Sequence, residues 1–199
     1  WNYLFPTLLA LTISFSGVVL SSTFVLKEKK SRAYFRNFVT PTNDFTFFVG
    51  NSIFCLVIVF IQAALLFAGT IWLTQSNIGD VLFPAAVLVS VSSLLFVFLG
   101  SFIGFSSKSE ETVILTSVSL VFLIMFFSNT ILPVETISDK FDNVVRFNPL
   151  VITDTLFKQV LLFKSDFFSM LDEIYVLVGE ILIFGAFAFA ANEWNRRSF

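Results

Sequence analysis

The stretch FTFFVGNSIFCLVIVFIQAALLFAGTIWLTQSNIG, residues 45–79, contains no Asp, Glu, Lys or Arg. A helix needs about 20 mostly apolar residues to cross the ~30 Å hydrocarbon core of a bilayer, and this stretch exceeds that length. Because lipid offers no hydrogen-bond partner to backbone N–H and C=O groups, a chain inside it must bond them internally. The stretch therefore predicts a membrane-spanning helix.

The same charge-free pattern recurs on both sides of this stretch. Three further runs lack charged residues, and a fourth carries only Glu180. Together they predict an all-α, polytopic transmembrane helix bundle that forms a single domain over residues 1–199. The five predicted spans are about residues 3–26, 46–73, 81–105, 112–132 and 174–192.

The composition agrees with a membrane protein and excludes several other classes. Hydrophobic residues make up 56% of the chain and charged residues 13%, whereas a soluble domain is nearer ~25% charged. The net charge of −2 argues against a broad nucleic-acid surface. The chain has no His, the commonest metal ligand and the usual acid–base group near neutral pH. The single cysteine, Cys55, lies in an apolar run and is predicted to serve packing.

No motif in the sequence indicates catalysis. The dipeptide Gly-Lys never occurs, so the phosphate-binding pattern G-x-x-x-x-G-K-[ST] is absent. The H-E-x-x-H, C-x-x-C and G-x-S-x-G patterns are absent as well. We therefore expect no enzymatic activity, no metal site and no cofactor in this chain.

Basic residues between the spans predict which face of the membrane is cytoplasmic, because short cytoplasmic loops carry an excess of Lys and Arg. The first loop, the third loop and the tail place eight basic residues on one face, and the other face has four, dispersed through a long segment. The N-terminus is thus predicted outside the plasma membrane and the C-terminus in the cytoplasm. Five spans in this orientation fit a six-span protein without its first helix.

The polar loop KEKKSRAYFRNFVTPTND, residues 27–44, predicts an amphipathic helix on the cytoplasmic side at about residues 28–40. Residues three and four positions apart lie on the same face of a helix, so the basic residues of this loop share one face and the aromatic residues lie on the opposite side. Pro41 ends the helix and already disfavours helical geometry at Thr40. Two interpretations are open from composition alone: a helix that docks a partner protein, and a basic helix that binds anionic lipid. The basic face comprises Lys29, Arg32 and Arg36, and the aromatic face comprises Tyr34, Phe35 and Phe38.

A long external segment, residues 134–173, separates the fourth and fifth predicted spans. Its part NPLVITDTLFKQVLLF, residues 148–163, is rich in apolar residues. Asp154 and Lys158 form an i,i+4 acid–base pair of the kind that supports a helix. We predict one or two short helices at, or dipping into, the outer interface; the alternative is a solvated loop, which the apolar content disfavours.

Three polar side chains inside the predicted spans are candidates for more than packing. Glu180 lies about two turns into the fifth span. It marks either a substrate pathway or interface, or a protonated or paired carboxyl that locks helices together. For Gln62 and Asn129 we predict hydrogen bonds to neighbouring helices. In addition, GSFIG at residues 100–104 is a G-x-x-x-G pattern that permits close helix contact.

Two regions resemble the type-2 ATP-binding-cassette (ABC) exporter permeases. The run EKKSRAYFRNFVTP followed by DFTFFVGNSI is similar to the cytoplasmic signature of that family, although Lys30, Arg32 and Ala33 depart from it. The stretch VVRFNPLVITDTLFKQVL is similar to its external Asn-Pro-Leu element with a following acidic residue. The matching residues are Glu28, Phe38, Val39, Thr40, Pro41 and Gly50 in the first region and Asn148, Pro149, Leu150 and Asp154 in the second.

The resemblance implies a permease subunit that moves an amphipathic or lipid-linked compound outward. It would pair with a second permease copy or a paralogue within membrane lipid, bind no nucleic acid, and dock a separate ABC ATPase through the loop helix as a coupling helix. Two other classes stay open: an ATP-independent carrier or channel, and a non-transporting membrane scaffold. The implied ATPase-coupling residues are Glu28, Lys29, Arg32, Tyr34, Phe35, Arg36, Phe38, Thr40 and Pro41, and those of the external gate are Asn148, Pro149, Leu150 and Asp154.

Overall fold

A computed structural model of the chain describes residues 4–31, 44–74, 79–128, 145, 147–163 and 170–197. Over these residues the chain forms six α-helices, which confirms the predicted all-α bundle. The helices are α1 (Leu4–Lys30), α2 (Asp44–Thr74), α3 (Gly79–Ser106), α4 (Glu110–Phe126), α5 (Pro149–Leu161) and α6 (Leu171–Arg197).

Four of the described helices are long and apolar enough to cross a membrane, namely α1, α2, α3 and α6. The fourth predicted span corresponds to α4, which has 17 residues and ends at Phe126 with Phe127 as its C-cap. The sequence prediction carried this span to about residue 132, and residues 129–144 lie outside the described ranges.

The turn between α3 and α4 follows from local capping chemistry. The Ser109 hydroxyl accepts a hydrogen bond from the backbone N–H of Thr112 at 3.1 Å, and thereby satisfies one of the free donors at the start of α4. Glu110 and Glu111 lie in the first turn, where negative charge opposes the positive end of the helix dipole. These features favour a new helix from Glu110, so that only residues 107–109 separate α3 from α4.

The centre of the bundle is formed by α1 and α3. About half of the apolar window of each is buried, against 17% for α2 and α6. Gly17 lies against Phe96, and Gly104 lies against Val25, so α1 and α3 run parallel. The peripheral helices α2 and α6 expose rows of large apolar side chains, as expected of helices that face lipid or another membrane subunit.

Helix α2 runs antiparallel to α1. The rings of Phe5 and Phe67 lie 5.2 Å apart near one end of the pair, and those of Phe24 and Phe54 lie 4.4 Å apart toward the other. The two ends of the bundle differ in the residues that they carry. We call them the basic end, defined by Lys27, Lys29, Lys30 and Lys108, and the α5 end, defined by helix α5 and the first turn of α1.

Candidate functional site

The predicted G-x-x-x-G pattern at residues 100–104 lies in the tightest helix contact of the bundle. A Cβ atom added at Gly100 would overlap the carbonyl oxygen of Val18 and the hydroxyl of Ser21. At Gly104 it would lie 2.6 Å from the carbonyl oxygen of Ser22. Only the absence of a side chain lets α1 and α3 approach this closely, so the close helix contact expected from the sequence is present.

The surface of α1 that faces these glycines is itself made of small residues. Ser14, Gly17 and Ser21 follow one another at steps of three and four, and each is buried. The Ser22 and Ser117 hydroxyls lie 2.7 Å apart, which joins α1 to α4 inside the bundle. This face of α1 was not predicted. Its sequence signal is the regular spacing of small residues in a span that otherwise holds large ones.

The segment of residues 134–173, which the sequence predicts to be external, contains a short helix as predicted. Helix α5 covers 13 residues and packs against α1, α3, α4 and α6. Leu156 and Phe157 are fully buried, so its apolar face lies against the bundle. The structure therefore places α5 as an integral helix at one end of the bundle, consistent with the apolar content that disfavoured a solvated loop.

Asn148 joins the ends of two helices with a single amide group. Its Oδ1 accepts a hydrogen bond from the backbone N–H of Leu150 at 2.9 Å, which caps the start of α5. Its Nδ2 donates to the carbonyl oxygens of Ile124 at 2.8 Å and Phe127 at 3.0 Å, at the end of α4. Pro149 occupies the first position of α5, where the missing N–H costs little.

Asp154 connects α5 to the first turn of α1. Its Oδ1 accepts a hydrogen bond of 2.8 Å from the Thr7 hydroxyl, and its Oδ2 accepts one of 2.6 Å from the Lys158 ammonium group. The predicted pairing of Asp154 with Lys158 is confirmed. The bond from Thr7 was not predicted, because one Thr among many Ser and Thr residues in an apolar span gives no sequence signal.

At the basic end, the structure differs from the sequence prediction in where the first helix stops. The coupling helix was predicted to begin at about residue 28, but α1 continues through Lys30, and Glu28 and Lys29 belong to its last turn. Basic residues are favourable in that turn because they oppose the helix dipole. The remaining predicted coupling residues, Arg32, Tyr34, Phe35, Arg36, Phe38, Thr40 and Pro41, lie outside the described ranges.

Lys29 is already engaged in an intramolecular contact. Its ammonium group donates hydrogen bonds to the carbonyl oxygens of Phe105 at 2.9 Å and Ser107 at 3.1 Å. These carbonyls are at the C-terminal end of α3, where carbonyls lack partners within the helix. Lys27 and Lys30 on the same turn are exposed.

The polar groups inside the spans have fewer partners than expected. Gln62 and Glu180 each bury one side-chain oxygen that has no hydrogen-bond partner among the described residues. The interhelical hydrogen bond predicted for Gln62 is therefore not formed by that oxygen within the described chain, whereas Asn129 lies outside it. Nor do the described residues contain a cluster of three or more Asp, Glu, Cys or His that could hold a metal ion.

Two apolar cavities open between the helices. One of about 370 Å³ lies between α3, α5 and α6 and is lined by Phe83, Val160 and Met170, among other residues. The other, of about 270 Å³, lies between α2 and α3 against Phe60, Ala64 and Val89. Both are lined almost entirely by carbon, so they suit the apolar part of a molecule.

Comparison with known proteins gives one match. The family model of the ABC-2 family transporter proteins matches residues 2–190. No curated protein and no solved structure matches the chain.

Proposed function

The chain belongs to the ABC-2 family of transporter proteins, and on that premise we propose that it is the permease subunit of an ATP-driven exporter. The family match over nearly the whole chain is the observation that carries this proposal. In it, a separate ABC ATPase subunit hydrolyses ATP, and the permease moves an amphipathic or lipid-linked compound out of the cell. The absence of any phosphate-binding loop from the sequence agrees with this division of labour.

The ATPase docks at the basic end of the bundle. The chain leaves α1 and enters α2 there, with Lys27 and Lys30 exposed beside the connecting loop. In the loop, the aromatic residues Tyr34, Phe35 and Phe38 supply buried anchors for the ATPase. The neighbouring Lys and Arg side chains steer an acidic surface of the ATPase toward them. The same basic residues support a cytoplasmic position for this end in a cell that carries the protein in its plasma membrane, because short cytoplasmic loops are rich in Lys and Arg.

A second permease copy or a paralogue completes the transporter. The exposed apolar rows on α2 and α6 support such pairing, because they offer large faces to either lipid or a neighbouring subunit. Binding of ATP brings the ATPase subunits together and biases the paired permeases between two packings of their helices. Helix α5 and the Asn148–Asp154 segment then border the route by which the compound leaves.

Co-purification tests this proposal. We would purify the protein from its native membrane in mild detergent, identify the proteins that accompany it and measure ATP hydrolysis in the eluate. We expect a stoichiometric ABC ATPase with the wild-type protein and its loss in the triple variant Tyr34→Ala, Phe35→Ala, Phe38→Ala.

The matched control is the triple variant Phe83→Ala, Phe147→Ala, Phe163→Ala, which removes three exposed aromatic rings away from the basic end. It should retain the ATPase. Recovery of the wild-type permease without any ATPase would contradict the proposal and favour an ATP-independent carrier or channel, with Glu180 as the next residue to change. An ATPase that still accompanies the first triple variant would exclude the loop as the docking element.

A further inference from the structure

Helix α1 is hydrogen-bonded to a different helix at each of its ends. At the basic end, Lys29 donates to two carbonyl oxygens of the α3 terminus. At the other end, Thr7 donates to Asp154 of α5. The two positions are 22 residues apart, which corresponds to about 33 Å along a helix. One continuous helix thus connects the end that carries the proposed ATPase-docking loop with the end that carries α5.

Helix α1 is well suited to move as one body. It is helical without a break from Leu4 to Lys30. At its middle, Gly17 and Gly100 bring it and α3 into backbone contact, so it cannot bend toward α3 without overlap. Because α1 is one unbroken helix, a displacement of its basic end would also move Thr7 at the other end.

The contact between Thr7 and Asp154 is a directional hydrogen bond between α1 and α5. Leu156 and Phe157 are fully buried in the apolar core, where each dispersion contact is individually weak and lacks the direction of a hydrogen bond. The Asp154 carboxylate, whose side chain is only 13% exposed, is fixed on one oxygen by Thr7 and on the other by Lys158. A hydrogen bond with an ionised acceptor holds its geometry more strongly than a neutral one.

We propose that Asp154 is a positioning residue that couples α5 to α1 through the Thr7 hydroxyl, so that movement of the basic end of α1 shifts α5. This inference rests on the proposed ATPase-driven function. A shift of α5 would act on a neighbouring cavity, because Val160 of α5 lines the cavity of about 370 Å³ between α3, α5 and α6. A shift of α5 therefore changes the shape of that cavity and of the route beside it.

The test measures amide hydrogen exchange of residues 149–161 in the complex of permease and ATPase, with and without a non-hydrolysable ATP analogue. Thr7→Val removes the hydroxyl and keeps the shape of the side chain. The matched control is Thr12→Val, because within the described part of the chain the Thr12 hydroxyl bonds the Leu8 carbonyl of its own helix. Thr7→Ser retains the hydroxyl and should behave as the wild type.

We expect the nucleotide to change exchange in α5 of the wild type, Thr7→Ser and Thr12→Val, and this change to be lost in Thr7→Val. The double variant Asp154→Ala, Lys158→Met removes the same hydrogen bond from the α5 side without leaving an unpaired lysine. It should also lose the nucleotide effect on α5, and it provides the test if Thr7→Val does not fold.

Two results overturn the inference. One is a nucleotide effect on α5 that persists in folded Thr7→Val or in the double variant. The other is a wild-type complex in which nucleotide leaves α5 unchanged. Because recovery of the ATPase is measured in the same preparations, failure of the proposed function is seen separately, as a wild-type permease that brings no ATPase with it.

Discussion

The ammonium group of Lys29 donates a hydrogen bond of 2.9 Å to the carbonyl oxygen of Phe105, so the last turn of α1 closes the end of α3. The two parallel helices therefore interact through more than side-chain packing, because the positive charge of Lys29 on α1 lies at the negative, C-terminal end of the α3 dipole. A second bond to the Ser107 carbonyl, at 3.1 Å, reaches the first residue after α3. The basic ends of α1 and α3 are thereby joined to each other.

Substituting Lys29 with Met should weaken the basic end. The change keeps most of the side-chain volume but leaves the Phe105 and Ser107 carbonyls without their donor, and we expect a loss of about 1 kcal/mol in the free energy of unfolding. Unfolding by SDS from mild detergent micelles measures it. Lys30→Met is the matched control, since Lys30 is exposed on the same turn; equal losses in the two variants would mean that charge alone, and not the carbonyl contact, is responsible.

A methyl group at Gly100 should separate α1 from α3. In Gly100→Ala the added Cβ meets the backbone oxygen of Val18, which cannot rotate away, so the helices must move apart. We expect a destabilisation of about 1–3 kcal/mol, the range for overpacked cores. Gly69→Ala is the control, because nothing lies within 4 Å of its Cβ position. That variant should be neutral or slightly stabilising, since Ala favours a helix over Gly. Thermal unfolding of both variants in detergent measures the difference. Equal midpoints for Gly100→Ala and Gly69→Ala would contradict the prediction.

The two roles of Asn148 can be separated by substitution. Asn148→Asp keeps an oxygen that can cap α5, but loses the Nδ2 donor and places a negative charge beside the Ile124 and Phe127 carbonyls. Asn148→Ala loses all three bonds. We expect both variants to lose about 2 kcal/mol in the free energy of unfolding, because the partly buried carbonyls of Ile124 and Phe127 are left without their donor. If Asn148→Asp matched the wild type in SDS titrations, the cap on α5 would be the only contribution that matters.

The Ser22–Ser117 pair provides a direct measure of interhelical hydrogen bonding in this bundle. Both residues are fully buried, and their hydroxyls are 2.7 Å apart. A double-mutant cycle with Ser22→Ala and Ser117→Ala should give a coupling energy of about 0.6 kcal/mol, the average found between membrane helices. Additive effects of the two substitutions would indicate that α1 and α4 are held by packing alone.

Hydropathy along the sequence was sufficient to predict the membrane-spanning helices. Each long apolar run had to become a helix, because lipid cannot satisfy a free backbone group. The structure bears this out for α1, α2 and α3, and for α6, whose run carries Glu180. Local spacing was also sufficient for α5, since Asp154 and Lys158 are one helical turn apart and pair as predicted. Asn148 was singled out by its motif, but its bonds to α4 were not foreseeable because they depend on where the preceding helix ends.

The sequence by itself determined that this chain is a bundle of membrane helices with a basic loop between the first two. Only the tertiary structure decided which faces meet: Thr7 bonds Asp154 across 147 positions, and Lys29 bonds Phe105 across 76. The physical reason is that lipid and the interior of a bundle are both apolar, so hydropathy cannot distinguish a buried face from an exposed one. Close packing of small residues and a few directional hydrogen bonds make that distinction, and both exist only once the helices have come together.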